Sequence, residues 1–259
     1  MIRTFLLTAL AATLACTTVE AQHHSAYDKR PRFQLAAVTS FPMGTFKYQP
    51  KETSLLGNAR TTVGFETGIS VPVFQGWTLG LFANYNRYRM TGDGVLAYLK
   101  TKYADNSYYI TWPERSLAFD ITQGSLEIAR NFRFTGIELE PYARLVGIGF
   151  HDGYSTLNIR RKLKGDNYEE QITLKPSGAD RNFFYPSLGM RANLPLADFA
   201  YLVGGFQLMT GAMYTELETV TTDIFGKKIT EKSMLKQNVT VFQFSLGLQM
   251  RAGSRKLFK

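Results

Sequence analysis

The chain has 259 residues, a formal net charge of +9 and 44% hydrophobic residues, a length that suits one or two soluble domains or one barrel with generous loops. Beyond the N-terminus no run approaches the ~20 apolar residues of a membrane-spanning helix, which excludes a helical membrane protein. The basic residues are dispersed, which argues against nucleic-acid binding, and abundant glycine (22), tyrosine (14) and phenylalanine (19) favour β structure.

Residues 1–21 read as a secretory signal. Arg3 supplies the positive start, Phe5 to Ala15 the apolar stretch, and Val19-Glu20-Ala21 before Gln22 the small-residue cleavage site. The rival is a lipoprotein signal acylated at Cys16, although Thr13-Leu14-Ala15-Cys16 lacks a leucine three places before the cysteine. Cleavage after Ala21 removes the only cysteine and leaves no thiol or disulfide. Residues 22–32, with His23, His24 and Pro31, read as a flexible periplasmic lead-in, and 33–259 as the single folded domain.

From Phe33 onward, eight alternating apolar and polar stretches are separated by four long gaps and three short ones. The first runs to Met43, with Phe33, Leu35, Ala37 and Phe41 on one face. The second sets Val63, Phe65, Ile69, Val71 and Val73 against Thr62, Gly64, Glu66, Gly68 and Ser70. Gln75-Gly76 is a tight turn, and the third sets Trp77, Leu79, Leu81, Ala83 and Tyr85 against Thr78, Gly80, Asn84 and Asn86. A long loop spans 90–115. In the fourth stretch, about 117–134, the apolar parity slips between Ile121 and Leu126 around Gly124, which predicts a β-bulge there. Thr135-Gly136 turns the chain into a fifth stretch with Pro141-Tyr142 and Gly147-Ile148-Gly149, and a long excursion reaches about Asn182. The sixth sets Leu188, Met190 and Ala192 against Gly189, Arg191 and Asn193. After a turn at Pro195–Asp198, the seventh sets Leu202, Phe206 and Leu208 against Gly205, Gln207 and Met209. A last long loop spans about 216–235. The eighth sets Phe242, Phe244, Leu246, Leu248 and Met250 against Val241, Gln243, Ser245, Gly247, Gln249 and Arg251.

Short turns alternating with long loops are the signature of an all-β fold: an eight-stranded antiparallel up-and-down transmembrane β-barrel, with periplasmic turns and four extracellular loops. A lipocalin-like soluble barrel shares the path but buries its apolar face. The inverted arrangement is favoured because the apolar faces carry large side chains while the opposite faces are small and polar, as a narrow lumen demands. Phe74, Trp77, Phe132, Phe134, Tyr142, Phe199 and Tyr201 cluster near the short turns as an aromatic girdle. Glu66, Glu127, Arg191, Gln207, Gln243 and Arg251 then point inward. Buried charges need partners, so Glu66 or Glu127 is expected to pair with Arg191 or Arg251 in a lumen that is plugged.

The cleavage region, the Pro141-Tyr142…Gly147-x-Gly149 strand and the last strand together resemble the small OmpA/OmpX-like outer-membrane β-barrel family, in its Bacteroidota, porin-family form. The resemblance covers nearly all of the mature chain and implies a bacterial outer-membrane location. Such barrels end at a closing aromatic; here either Phe258 serves, or Met250 ends the strand and a periplasmic tail follows.

Specificity is expected in the loops. Leu157–Lys164 and Tyr168–Leu174 read as a hairpin about Gly165-Asp166-Asn167, with a basic arm of Arg160, Arg161, Lys162 and Lys164. A second hairpin surrounds Phe225-Gly226-Lys227-Lys228, and another loop presents Tyr108, Tyr109 and Trp112. Such residues suit lipopolysaccharide phosphates or a strand added by an extracellular or envelope protein. His151, Asp152 and Ser155 lie close together, but neighbours on an extended chain point to opposite sides. The expectation is a monomeric, non-enzymatic barrel without cofactor or metal, in contact with outer-membrane lipid, with a structural, adhesive or partner-binding role. An accessory part of a secretion or uptake machine and a lipid A hydrolase using His151 and Ser155 are the alternatives.

Overall fold

A computed structural model of the chain describes residues 30–47, 59–89, 108–111, 118–134, 136–153, 157–162, 169–177, 182–222 and 225–252. The residues expected to form a signal segment, most of the expected lead-in and Phe258 lie outside these residues. The strands are β1 (Arg32–Met43), β2 (Thr62–Phe74), β3 (Trp77–Arg89), β4 (Tyr108–Thr111), β5 (Ala118–Arg130), β6 (Phe132–Phe134) and β7 (Ile137–Gly153), followed by β8 (Leu157–Lys162), β9 (Glu169–Ser177), β10 (Asn182–Phe184), β11 (Ser187–Ala197), β12 (Ala200–Thr222) and β13 (Lys228–Arg251); a single helical turn, α1 (Gly44–Lys47), follows β1.

Eight of these strands close a barrel. β1 pairs with β2, β2 with β3, β3 with β5, β5 with β7, β7 with β11, β11 with β12 and β12 with β13, all antiparallel. Closure comes from β1 against β13, in unbroken register from Arg32↔Arg251 to Met43↔Thr240. Each strand alternates because successive side chains leave a sheet on opposite faces, and the exposure follows suit: Phe33, Leu35, Phe65, Leu81, Phe244 and Leu246 are exposed, while Gln34, Glu66, Asn84, Gln243 and Gln249 are buried. The apolar residues thus form the outside and the polar ones the core, the reverse of a soluble barrel.

The turn chemistry explains the short connections. At Gln75-Gly76 both residues take positive φ (36° and 83°), the mirror-image turn whose twist matches a hairpin and which strongly favours glycine. Gly136 (φ 82°) serves the same purpose between β6 and β7.

Three boundaries differ from the sequence expectation. β5 keeps strict alternation, so there is no bulge at Gly124. Ile121 points into the lumen and is fully buried, so the slip in apolar parity reflects an apolar lumen residue. The register shift falls where Leu126 faces Val146 and Glu127 faces Arg144, which leaves Leu145 of β7 as the extra, outward residue, 71% exposed. The third short turn is tighter and later than Pro195–Asp198: Pro195 still pairs with Tyr201, and the chain reverses at Asp198-Phe199. The expected last loop of 216–235 is mostly strand, since β12 and β13 stay paired out to Thr222↔Lys228.

Beyond the barrel rim a second sheet continues from these long strands. β9 pairs with β12 from Glu216↔Ser177 to Thr222↔Gln171, β8 pairs with β9, and β4 pairs with β8. The protruding order is therefore β13-β12-β9-β8-β4.

Candidate functional site

The lumen is layered. At the short-turn end, Arg251 donates to Glu138, which also accepts from Arg133 (2.7 Å) and Asn131 (3.1 Å). The Arg251 guanidinium lies 3.7 Å from the Tyr201 ring centre. Arg30 donates to the Asp198 carbonyl at 2.7 Å, so the end of the lead-in is tied to a turn.

Next comes a chain of alternating charges. Glu66 pairs with Arg144 (2.7 Å), Arg144 with Glu127 (3.1 Å), Glu127 with Arg191, Arg191 with Glu140 (3.4 Å), and Glu140 with Arg32 (3.1 Å). These six side chains come from β2, β7, β5, β11 and β1, so the chain ties opposite walls together. All are buried. Gln34 bonds Glu66 (3.2 Å) and Arg191 (3.3 Å), and Thr78 and Asn193 bond Glu140. Buried ions are tolerable only when paired and hydrogen-bonded in this manner.

Two aromatic rings lie within the same layer. The guanidinium carbons of Arg144 and Arg191 each sit 4.8 Å from the Phe82 ring centre, and 5.2 and 4.4 Å from that of Tyr142. This cation–π packing covers the faces of the two cations. Glycine makes it possible: a Cβ at Gly68 would run into the Phe82 ring, and one at Gly189 would run into that of Tyr142.

Above the ions a directed hydrogen-bond relay crosses the lumen. Tyr142 donates to Gln207 (3.4 Å), Gln207 to Gln243, Gln243 to Ser40 (2.7 Å), Ser40 to Asn86 (2.9 Å) and Asn86 to Asn84. Such chains polarise one another and strengthen. The long-loop end is apolar. α1 turns inward and buries Phe46, whose ring meets Tyr88 edge-on at 5.2 Å; Ile121, Met209, Val239 and Val241 are buried too.

Of the lumen residues expected from sequence, Glu127 and Arg191 meet. Glu66 instead finds Arg144, and Arg251 finds Glu138. Arg32, Arg144, Glu138 and Glu140 were missed, although Glu138, Glu140, Tyr142 and Arg144 stand at every second position, a period-two polar stripe that marks an inward strand face. Tyr142 and Tyr201 do not belong to the girdle; both are buried in the lumen, because a phenol can lie against arginine there.

The outward boundaries are marked independently. At the short-turn end Arg130 lies 5.3 and 5.4 Å from the Trp77 and Phe132 rings. At the other end Arg87 pairs with Asp120 at 3.5 Å and Lys236 lies over Tyr214 at 5.6 Å. From Trp77 to Arg87, β3 covers the ~9–11 residues that a strand needs to cross a hydrocarbon core.

In the protruding sheet, Tyr108 and Tyr109 stand in register with Arg161 and Arg160, which face Glu170 and Gln171 on their other side, and Lys162 faces Glu169. Lys227 and Lys228 are exposed beside Gly226 at the tip of the β12–β13 hairpin. Trp112 and Lys164 lie outside the described residues, as does Ser155. His151 and Asp152 stand opposite Ile121 and Asp120. Among the described residues, no group of three or more His, Cys, Asp or Glu is gathered for a metal ion.

No family model matches the chain, and no curated protein does. Among solved structures it is similar to a major outer membrane protein from Thermus thermophilus (15% identity, 86% of this chain and 99% of that one, TM-score 0.45). It is also similar to Neisserial surface protein A (13%, 86% and 97%, TM-score 0.39) and to Ail, the attachment invasion locus protein of Yersinia pestis (10%, 87% and 100%, TM-score 0.41). At these identities and scores nothing about partners or activity follows; the strand pairing itself carries the fold.

Proposed function

We propose that this chain is a non-conducting, non-enzymatic barrel of the bacterial outer membrane whose function resides in the sheet it holds above the surface, as a structural, adhesive or partner-binding element. The observation that carries the reading is the inverted burial: an exposed apolar wall around a core of paired arginines and glutamates. Such a wall is stable only in lipid, and such a core leaves no water-filled path. The turns at Gly76, Gly136 and Asp198, with the start of β1 and the end of β13, then face the periplasm, and the wall contacts lipid and lipopolysaccharide as a monomer.

The test is twofold. The protein should fractionate with outer membranes and migrate faster unheated than boiled in a denaturing gel; recovery in the soluble periplasm would overturn the barrel reading. Removing residues 158–174 should abolish surface binding while heat-modifiable migration persists. Surface binding unchanged by the deletion would count against a role for that hairpin.

A further inference from the structure

The inner face of the barrel changes character within one step along the strands. Ser40, Gln243 and Gln207 stand side by side on β1, β13 and β12 and carry the hydrogen-bond relay. At the next inward position toward the long loops, the same three strands present Pro42, Val241 and Met209, all buried. Tyr88 of β3, Ile121 of β5 and Val239 of β13 are buried at this end as well. A ring of this kind replaces few of the hydrogen bonds that water would lose, and apolar constrictions close by dewetting.

α1 sits on the ring. β1 stops at Met43, and Gly44 takes φ 56°, a left-handed conformation that glycine adopts without the penalty a Cβ brings. The chain leaves the wall there. In the single turn that follows, Thr45 and Lys47 are exposed while Phe46 is fully buried, its ring edge-on to Tyr88. The turn also lies against β13. Where the chain returns to the wall it straps the turn down: the Ala59 N–H donates to the Phe46 carbonyl at 2.9 Å, and the next N–H, of Arg60, donates to the Arg89 carbonyl at the end of β3 at 2.8 Å.

We propose that α1 is a lid on the lumen, hinged at Gly44 and stoppered by Phe46, which seals the long-loop end independently of the ionic layer. This rests on the reading of the chain as a membrane barrel and adds a second seal to it. The glutamine relay then lies in a closed polar compartment between two seals of different chemistry. One closes by pairing buried charges, the other by filling an apolar mouth, so displacing the lid opens the upper compartment alone.

The experiment uses the full protein in lipid nanodiscs, with Cys16→Ser and one reporter cysteine: Val241→Cys in the apolar ring, or Thr78→Cys beside Glu140 in the ionic layer. A small cationic methanethiosulfonate is added and the rate of thiol modification is followed by mass. Both reporters should react slowly under the native lid. Phe46→Ala should speed the ring reporter at least about tenfold, the gain in open population when a buried phenyl group is removed, and leave the ionic-layer reporter unchanged. Phe46→Leu refills the mouth and should restore the slow rate. Gly44→Val keeps the stopper but strains the hinge, and should speed the ring reporter at least about fivefold. An unchanged ring-reporter rate in either Phe46→Ala or Gly44→Val overturns the proposal. Exposure of both reporters by Phe46→Ala overturns it too, because one seal would then serve the whole lumen. Heat-modifiable migration is recorded on the same preparations: if it holds while the ring reporter stays protected, the lid falls and the barrel reading stands.

Discussion

The lumen and the protruding hairpin carry the same sign of charge in different residues. The described buried cations are all arginines (Arg30, Arg32, Arg144, Arg191 and Arg251), whereas the hairpin carries Lys227, Lys228, Lys232 and Lys236. A guanidinium is planar, weakly hydrated and able to serve two carboxylates while stacking on a ring; an ammonium is a strongly hydrated point charge. Arg191 does all of this at once, between Glu127 and Glu140 and against Phe82 and Tyr142. The comparison teaches that the lumen's cations are engaged with carboxylates and rings inside the wall, while the hairpin's lysines lie exposed at the surface.

Substitutions in the two regions should therefore diverge. Arg191→Ala strands Glu127 and Glu140 without their central cation and should cost about 3–5 kcal/mol, the usual loss when one partner of a buried pair is removed. Urea unfolding in lipid, followed by loss of the fast-migrating gel form, measures it; an unchanged midpoint would break the contrast. Gly68→Val drives a side chain into Phe82 and should cost about 1–3 kcal/mol. The double variant Gly68→Val with Phe82→Ala should unfold at a higher urea concentration than Gly68→Val alone if the clash is the cause. In the hairpin, Lys228→Glu or Lys232→Glu should change stability by no more than about 0.5 kcal/mol, as for other exposed sites. The same unfolding assay checks this, and a larger loss would mean that the hairpin lysines are structural.

The sequence displayed the barrel more clearly than its contents. Strand faces were legible wherever large apolar residues alternate with small polar ones, as in β2 and β13, because lipid accepts only one of the two faces. The lumen was less legible for two reasons. Phe82, Tyr142, Tyr201 and Ile121 are apolar or aromatic residues on the inner face, so hydrophobicity alone puts them outside or breaks the pattern; the glycines that accommodate the rings belong to other strands. The partners of Glu66 and Arg251 lie at different points along β7, and pairing across the barrel depends on shear that no local pattern records. The hairpin was foreseen around Gly226, yet its length was not, since β12 and β13 lose their apolar alternation above the rim while their backbone pairing continues.

The most direct measurement of the central claim is the accessibility of single nitroxide labels along β13, with Cys16 replaced by serine and one cysteine placed in turn at each of positions 242–250. Labels at 242, 244, 246, 248 and 250 should be relaxed by oxygen from the lipid and little by a water-soluble nickel chelate. Labels at 243, 245 and 249 should be shielded from both. Accessibility of the second set to the chelate would mean an open aqueous lumen, and exposure of the first set to it would mean that the apolar wall does not lie in a membrane; either result contradicts the account.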